Sequence, residues 1–102
     1  MVQDQLPGLE DGPAEIVKDV RLWIYQHFQE WDWFKHFAKE HQQGRRGASP
    51  NFCLQAMRNE FHVSIPNAYA PILARIAMQQ DRAIRFSINR SKFDEFVVVK
   101  HA

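Results

Sequence analysis

NAYAPILARIAM, residues 67–78, is the stretch on which the fold turns. Tyr69, Ile72, Leu73, Ile76 and Ala77 recur at steps of three and four, a spacing that predicts an amphipathic helix with these residues buried. Pro71 conflicts with that pattern, because a proline inside a helix removes a backbone donor and crowds the carbonyl four residues back. Asn67 resolves the conflict. An asparagine cap at 67 puts Pro71 in the first turn, where its amide would bond at most to the cap's own carbonyl. The helix is therefore expected to start at Asn67 and run to about Gln80, with Asn67, Arg75, Gln79 and Arg82 facing outward.

Working back from this segment, His62-Val63-Ser64-Ile65-Pro66 reads as a short connection. Before it, Ser49-Pro50 predicts a helix start, with serine as cap and proline at the first position. That helix carries Phe52, Leu54, Ala56, Met57 and Phe61 toward a core and runs to about Phe61. Arg45-Arg46-Gly47-Ala48 reads as a basic loop, and Gln42-Gln43-Gly44 as the stop of an earlier helix. From Ala14, the residues Val17, Val20, Ile24, Phe28, Trp31, Phe34 and Ala38 keep a helical period. They predict one long aromatic helix over 14–42, or two joined by a bend near Glu30. Residues 1–13 hold two prolines, two glycines and three acids, and read as a flexible leader to a single domain over 14–102.

Working forward, the period switches to two after Asp81. Ile84, Phe86 and Ile88 alternate with Arg85, Ser87 and Asn89, which predicts a half-buried strand. Asn89-Arg90-Ser91-Lys92 reads as a polar turn and Phe96-Val97-Val98-Val99 as a second strand, although 91–96 also suits a helical turn. The expected architecture is mainly α with a C-terminal β-hairpin (α+β). It has a helix-turn-helix over residues 50–80, a hairpin as its wing, and a long aromatic helix in front.

Such an order suits double-stranded DNA. Asn67, Ala68, Arg75 and Gln79 would meet base edges, with Arg82 on the same DNA-facing side, Arg45, Arg46 and Arg58 would hold phosphates, and Arg90 and Lys92 at the hairpin tip would reach the neighbouring backbone. Charge distribution points the same way. Residues 1–40 carry eight acids against four bases, whereas 41–102 carry nine bases, seven of them arginine, against four acids. The run FHVSIPNAYAPILARIAM resembles a stretch of short uncharacterised phage and prophage proteins through Phe61, Asn67, Tyr69, Ala70, Pro71, Ala74, Arg75, Ile76 and Met78. The resemblance implies a phage or mobile-element origin and brings no catalytic residues. Together these features lead to a small phage or prophage transcriptional regulator as the expected function.

A second expectation starts from the acidic first half and its aromatics. A non-enzymatic module that inhibits or adapts a host protein complex would use Trp and Phe as anchors. Val20, Ile24, Phe28, Trp31 and Phe34 are too many large apolar groups for so small a domain to cover, which predicts a homodimer built on them.

Other chemistry is thinly represented. Asp32, His36 and Glu40 fall on one helical stripe with Lys35 and Lys39 beside them, a pattern of solvated i,i+4 pairs rather than metal ligands. Cys53, the single cysteine, lies in an apolar helix and reads as a structural thiol, and no intramolecular disulfide is possible. No cofactor and no enzymatic activity are expected. The first residues lack the basic and apolar regions of a signal peptide, and no apolar run approaches the ~20 residues that span a membrane, so a cytoplasmic location is expected.

Overall fold

The structure, a computed structural model, describes residues 12–42, 44–89 and 92–97. Among these residues there are four α-helices: α1 (Gly12–Gln26), α2 (Phe28–His41), α3 (Pro50–Phe61) and α4 (Ala70–Gln80). Short 3-10 turns lie at Gly44–Arg46, Asn67–Tyr69 and Lys92–Glu95.

α1 and α2 are nearly continuous, and their break falls at His27 rather than at Glu30. The His27 amide still donates to the Trp23 carbonyl at 2.8 Å, and the Trp31 amide to His27 at 2.9 Å. His27 itself leaves helical geometry, with its ring stacked on Trp23 at 4.6 Å. Gly12 and Pro13 belong to α1, so the helix begins two residues before the expected boundary; the rest of the expected leader lies outside the described residues. Gly44 then takes the left-handed conformation expected of a helix stop, at φ 57°.

α3 starts as its sequence dictates. Ser49 Oγ accepts from the Phe52 amide at 3.3 Å, and Pro50 occupies the first turn. It ends on His62, a non-glycine residue in the left-handed region that donates to the Arg58 carbonyl at 2.7 Å. Asn67 does not cap the next helix with its side chain. It opens the 3-10 turn, its carbonyl accepts from the Ala70 amide, and α4 follows with Pro71 in its first turn, where no donor is needed.

α4 is the centre of the molecule. Ala70 and every residue from Ile72 to Met78 are buried, with α1, α3 and the Asn67–Tyr69 turn packed around them. A helix covered on all sides is a core helix, not a surface helix with one apolar stripe. Arg75 therefore lies inside, not outward as expected.

The expected hairpin and winged-helix fold are overturned, because no strand forms among the described residues. Residues 84–89 do alternate, with Ile84 and Phe86 buried and Arg85 and Ser87 exposed, but their only pairing is one isolated parallel bridge between Ala48 and Phe86. The Ala48 amide donates to the Arg85 carbonyl and the Ser87 amide to Ala48, each at 2.8 Å. Gly47 makes this approach possible, since at φ 78° a Cβ would lie 2.6 Å from the Arg85 carbonyl oxygen. Downstream, Lys92–Glu95 coils into a 3-10 turn and lays Phe93 and Val97 on the core. Arg90, Ser91 and Val98 to Lys100 lie outside the described residues. The class is mainly α. Among the described residues no helix is long and apolar enough to cross a membrane.

Candidate functional site

The aromatic residues of α1 and α2 divide into two groups. Val20, Trp31 and Phe34 are fully buried and Ile24 is nearly so; Trp31 stacks on Phe34 at 5.8 Å and Phe34 on Phe86 at 5.6 Å. Four of the five residues expected at a dimer interface are thus covered within the chain itself. Phe28 is the exception, 66% exposed, with Tyr25 at 84% lining the same groove. Small size did not prevent burial, because these residues share one core with the buried residues of α4.

The exposed rings border a groove of about 300 Å³. Ile24, Trp31 and Ile76, all buried, form its floor; Tyr25 and Phe28 rise at its rim, and Arg21 and Gln80 complete the lining. Gln80 holds the α2 side together, since its Oε1 accepts from Trp31 Nε1 at 3.2 Å and from Lys35 Nζ at 3.3 Å. The Lys35 ammonium stands 5.3 Å from the Trp31 ring centre. Lys35 also belongs to a cluster with Asp32, His36, Lys39 and Asp81, and its charge acts on the Asp81 carboxyl, whereas no carboxylate among the described residues lines the groove itself. Sequence reasoning missed Arg21, Tyr25 and Gln80. The available signal was the position of Tyr25, an aromatic residue off the Val17-Val20-Ile24 stripe.

The expected DNA-contacting residues do not form one face. Arg75, with 2% of its side chain exposed, donates from Nε to Asp94 at 2.7 Å, from Nη1 to the Pro71 carbonyl at 2.9 Å and from Nη2 to the Asn89 carbonyl at 2.6 Å. It cannot reach a base edge, and its work is to tie the C-terminal turn to α4. Nor can α4 enter a groove of DNA, because only Gln79 and Gln80 at its end are exposed. Arg58 donates to the Ile65 carbonyl and, at 3.0 Å, to Gln55, bracing the α3–α4 connection. Asn67 and Gln79 are exposed at opposite ends of the Asn67–Gln80 segment. Arg46, Arg82 and Arg85 are exposed on two neighbouring segments, 44–48 and 81–87, which are joined by the Ala48 hydrogen bonds and by Gln42, bonded to Ala83 and Arg85 at 3.0 Å each. The side chains of Arg45 and Lys92, and all of Arg90, lie outside the described residues.

The remaining titratable groups have structural surroundings. Asp32 and His36 make an exposed i,i+4 pair at 3.7 Å, and no cluster of three metal-ligating side chains occurs among the described residues. Burial pushes the Cys53 thiol up to about 11, far from the thiolate a nucleophile needs. Burial, and then the charge of Asp19, raise Tyr69. The Lys39 ammonium, 2.6 Å away, and then the Ala83 amide hold the Asp81 carboxyl below the usual carboxylate range. Compared with family models, curated proteins and solved structures, the chain matched none.

Proposed function

We propose that this chain is a non-enzymatic protein-interaction module that holds a segment of another protein in the groove between α1, α2 and α4. One observation carries the proposal: Tyr25 and Phe28 stay exposed at the rim of an apolar floor formed by Ile24, Trp31 and Ile76. Contiguous exposed apolar surface marks interaction sites, and aromatic anchors at such sites carry much of the binding energy. The origin suggested by the resemblance of residues 61–78 to phage proteins would make the partner a host protein.

The test is selection from displayed random peptides of about twelve residues against the full chain, a length that spans the anchors of a helix in a groove. Recovered peptides should lose about tenfold or more in affinity on Phe28→Ala, an ordinary cost for an aromatic anchor. They should be unaffected by Phe52→Ala, which removes a comparably exposed ring (54% against 66%) lying against α2 at Phe37 and His41. Peptides indifferent to Phe28 would overturn the proposal.

A second reading, binding of duplex DNA, is favoured by Arg46, Arg82 and Arg85 standing exposed on two joined segments. These residues would supply phosphate contacts, and α4 would take no part. Replacing all three with Gln should then abolish a salt-sensitive shift of a duplex of about 20 base pairs. A wild-type chain that shifts no duplex at low salt rules this reading out.

A further inference from the structure

We propose that a second cleft, between the N-termini of α3 and α4 and residues 87–89, binds the carboxylate of a small organic acid, which Arg75 holds from the cleft floor. The cleft shares no lining residue with the groove of α1, α2 and α4, so its occupancy is independent of what that groove holds.

A buried cation with donors to spare carries the proposal. Arg75 has only 2% of its side chain exposed, yet it lines this cleft of about 310 Å³. Of the five N–H donors of a guanidinium, three are taken, by Asp94 and by the Pro71 and Asn89 carbonyls. The other two meet no acceptor among the described residues. Nε has a single N–H, which Asp94 occupies, so the spare donors are one on each Nη atom. Pro71 and Asn89, which hold those two atoms, both line the cleft, whereas Asp94 does not. Adjacent guanidinium donors of this kind suit the paired oxygens of a carboxylate.

The surroundings favour an anion. Pro50 and Asn51 open α3 and Pro71 lies in the first turn of α4, so the positive ends of two helices border one cleft. Each is equivalent to roughly half a positive charge. Asp94 offsets the charge of Arg75, but no carboxylate among the described residues lines the cleft itself. Asn51, Ser87 and Asn89 stand exposed at the rim, and Pro50, Pro71 and Ile88 supply apolar wall for the body of the acid. The volume is near the small end of ligand-binding pockets, which suits a small molecule. Stability alone does not call for a charge here. A buried ion pair is often matched or bettered by well-packed apolar residues, and Arg75 is the one charge in the run APILARIAM.

Titration of the isotope-labelled full chain with benzoate, read by amide chemical shifts, tests the proposal. Shifts should concentrate at Asn51, Ser87, Ile88, Asn89 and the Arg75 Nε–H, and saturate with a Kd of about 1 mM or tighter. Benzamide, the uncharged counterpart of the same shape, should bind at least about tenfold more weakly. Ser87→Asp and Asn51→Asp, at exposed positions where a new carboxylate repels the ligand, should each weaken benzoate about threefold to tenfold. Arg75→Lys keeps the charge and loses the fork, so it should abolish binding in a chain whose urea midpoint shows it folded. Should Arg75→Lys fail to fold, the two rim variants and benzamide decide alone. Shifts that do not saturate by about 20 mM, benzamide binding as well as benzoate, or rim variants that leave the affinity unchanged would each overturn the proposal. Saturable shifts centred on Tyr25 and Phe28, with the cleft silent, would place benzoate in the other groove and overturn it as well.

Discussion

Phe34 and Phe28 lie six residues apart on one helix, yet Phe34 has no exposed surface and Phe28 shows two-thirds of its own. The difference is one of neighbours. Phe34 turns toward Phe86 and the core around α4, whereas Phe28 stands just after the His27 break, exposed among the described residues. The molecule thus separates aromatic residues that hold the fold from aromatic residues available to a partner. An excess of aromatics in a small chain does not by itself call for a dimer; what matters is where the uncovered ones collect.

The largest effect expected from breaking this contrast is on stability. Phe34→Ala should cost about 3–5 kcal/mol in urea denaturation, through lost burial and the cavity left behind. Arg75→Ala should cost about 1–3 kcal/mol, because three carbonyl or carboxylate acceptors lose a charged donor; Asp94, half exposed, can turn to water. Gly47→Ala should cost a similar 1–3 kcal/mol, from a left-handed backbone and a Cβ pressed against the Arg85 carbonyl. On the exposed side, Phe28→Ala should change stability by no more than about 0.5 kcal/mol.

The smallest effect is on pH dependence. The Asp81 carboxyl is held below its ordinary value of about 3.9 in the fold, so its contribution is fully present above that value and fades as pH falls through the lower, folded one. Asp81→Asn should therefore flatten the acid limb of a denaturation-midpoint profile below about pH 4 and leave its shape near neutrality unchanged.

Local chemistry was the most legible part of the sequence. Ser49-Pro50 and Gly44 act where their residue types require, and the stripe from Val17 to Ala38 marks the buried side of α1 and α2. What was hidden depended on neighbours distant in sequence. The alternation from Ile84 to Ile88 correctly separates inward from outward residues, but a period of two cannot supply a pairing partner, and Ala48 offers only one bridge. Arg75 looked outward because one charge in an apolar run usually does; its carboxylate lies 19 residues away, in a turn the pattern had assigned to a hairpin. The run APILARIAM has only that one charge, and this near-continuous apolarity was the sign of an all-round buried helix. The groove was legible only in part. Phe28 and Trp31 were among the named residues, while Tyr25, Arg21 and Gln80 become neighbours only once α1, α2 and α4 have packed.

One paired measurement on Phe28→Ala tests the central claim most directly: its urea midpoint and its affinity for a peptide selected on the wild-type chain. A docking residue predicts a midpoint matching the wild type together with an affinity lowered about tenfold or more. A midpoint that falls as it does for Phe34→Ala, with affinity unchanged in the folded fraction, would place Phe28 with the residues that hold the fold and contradict the claim.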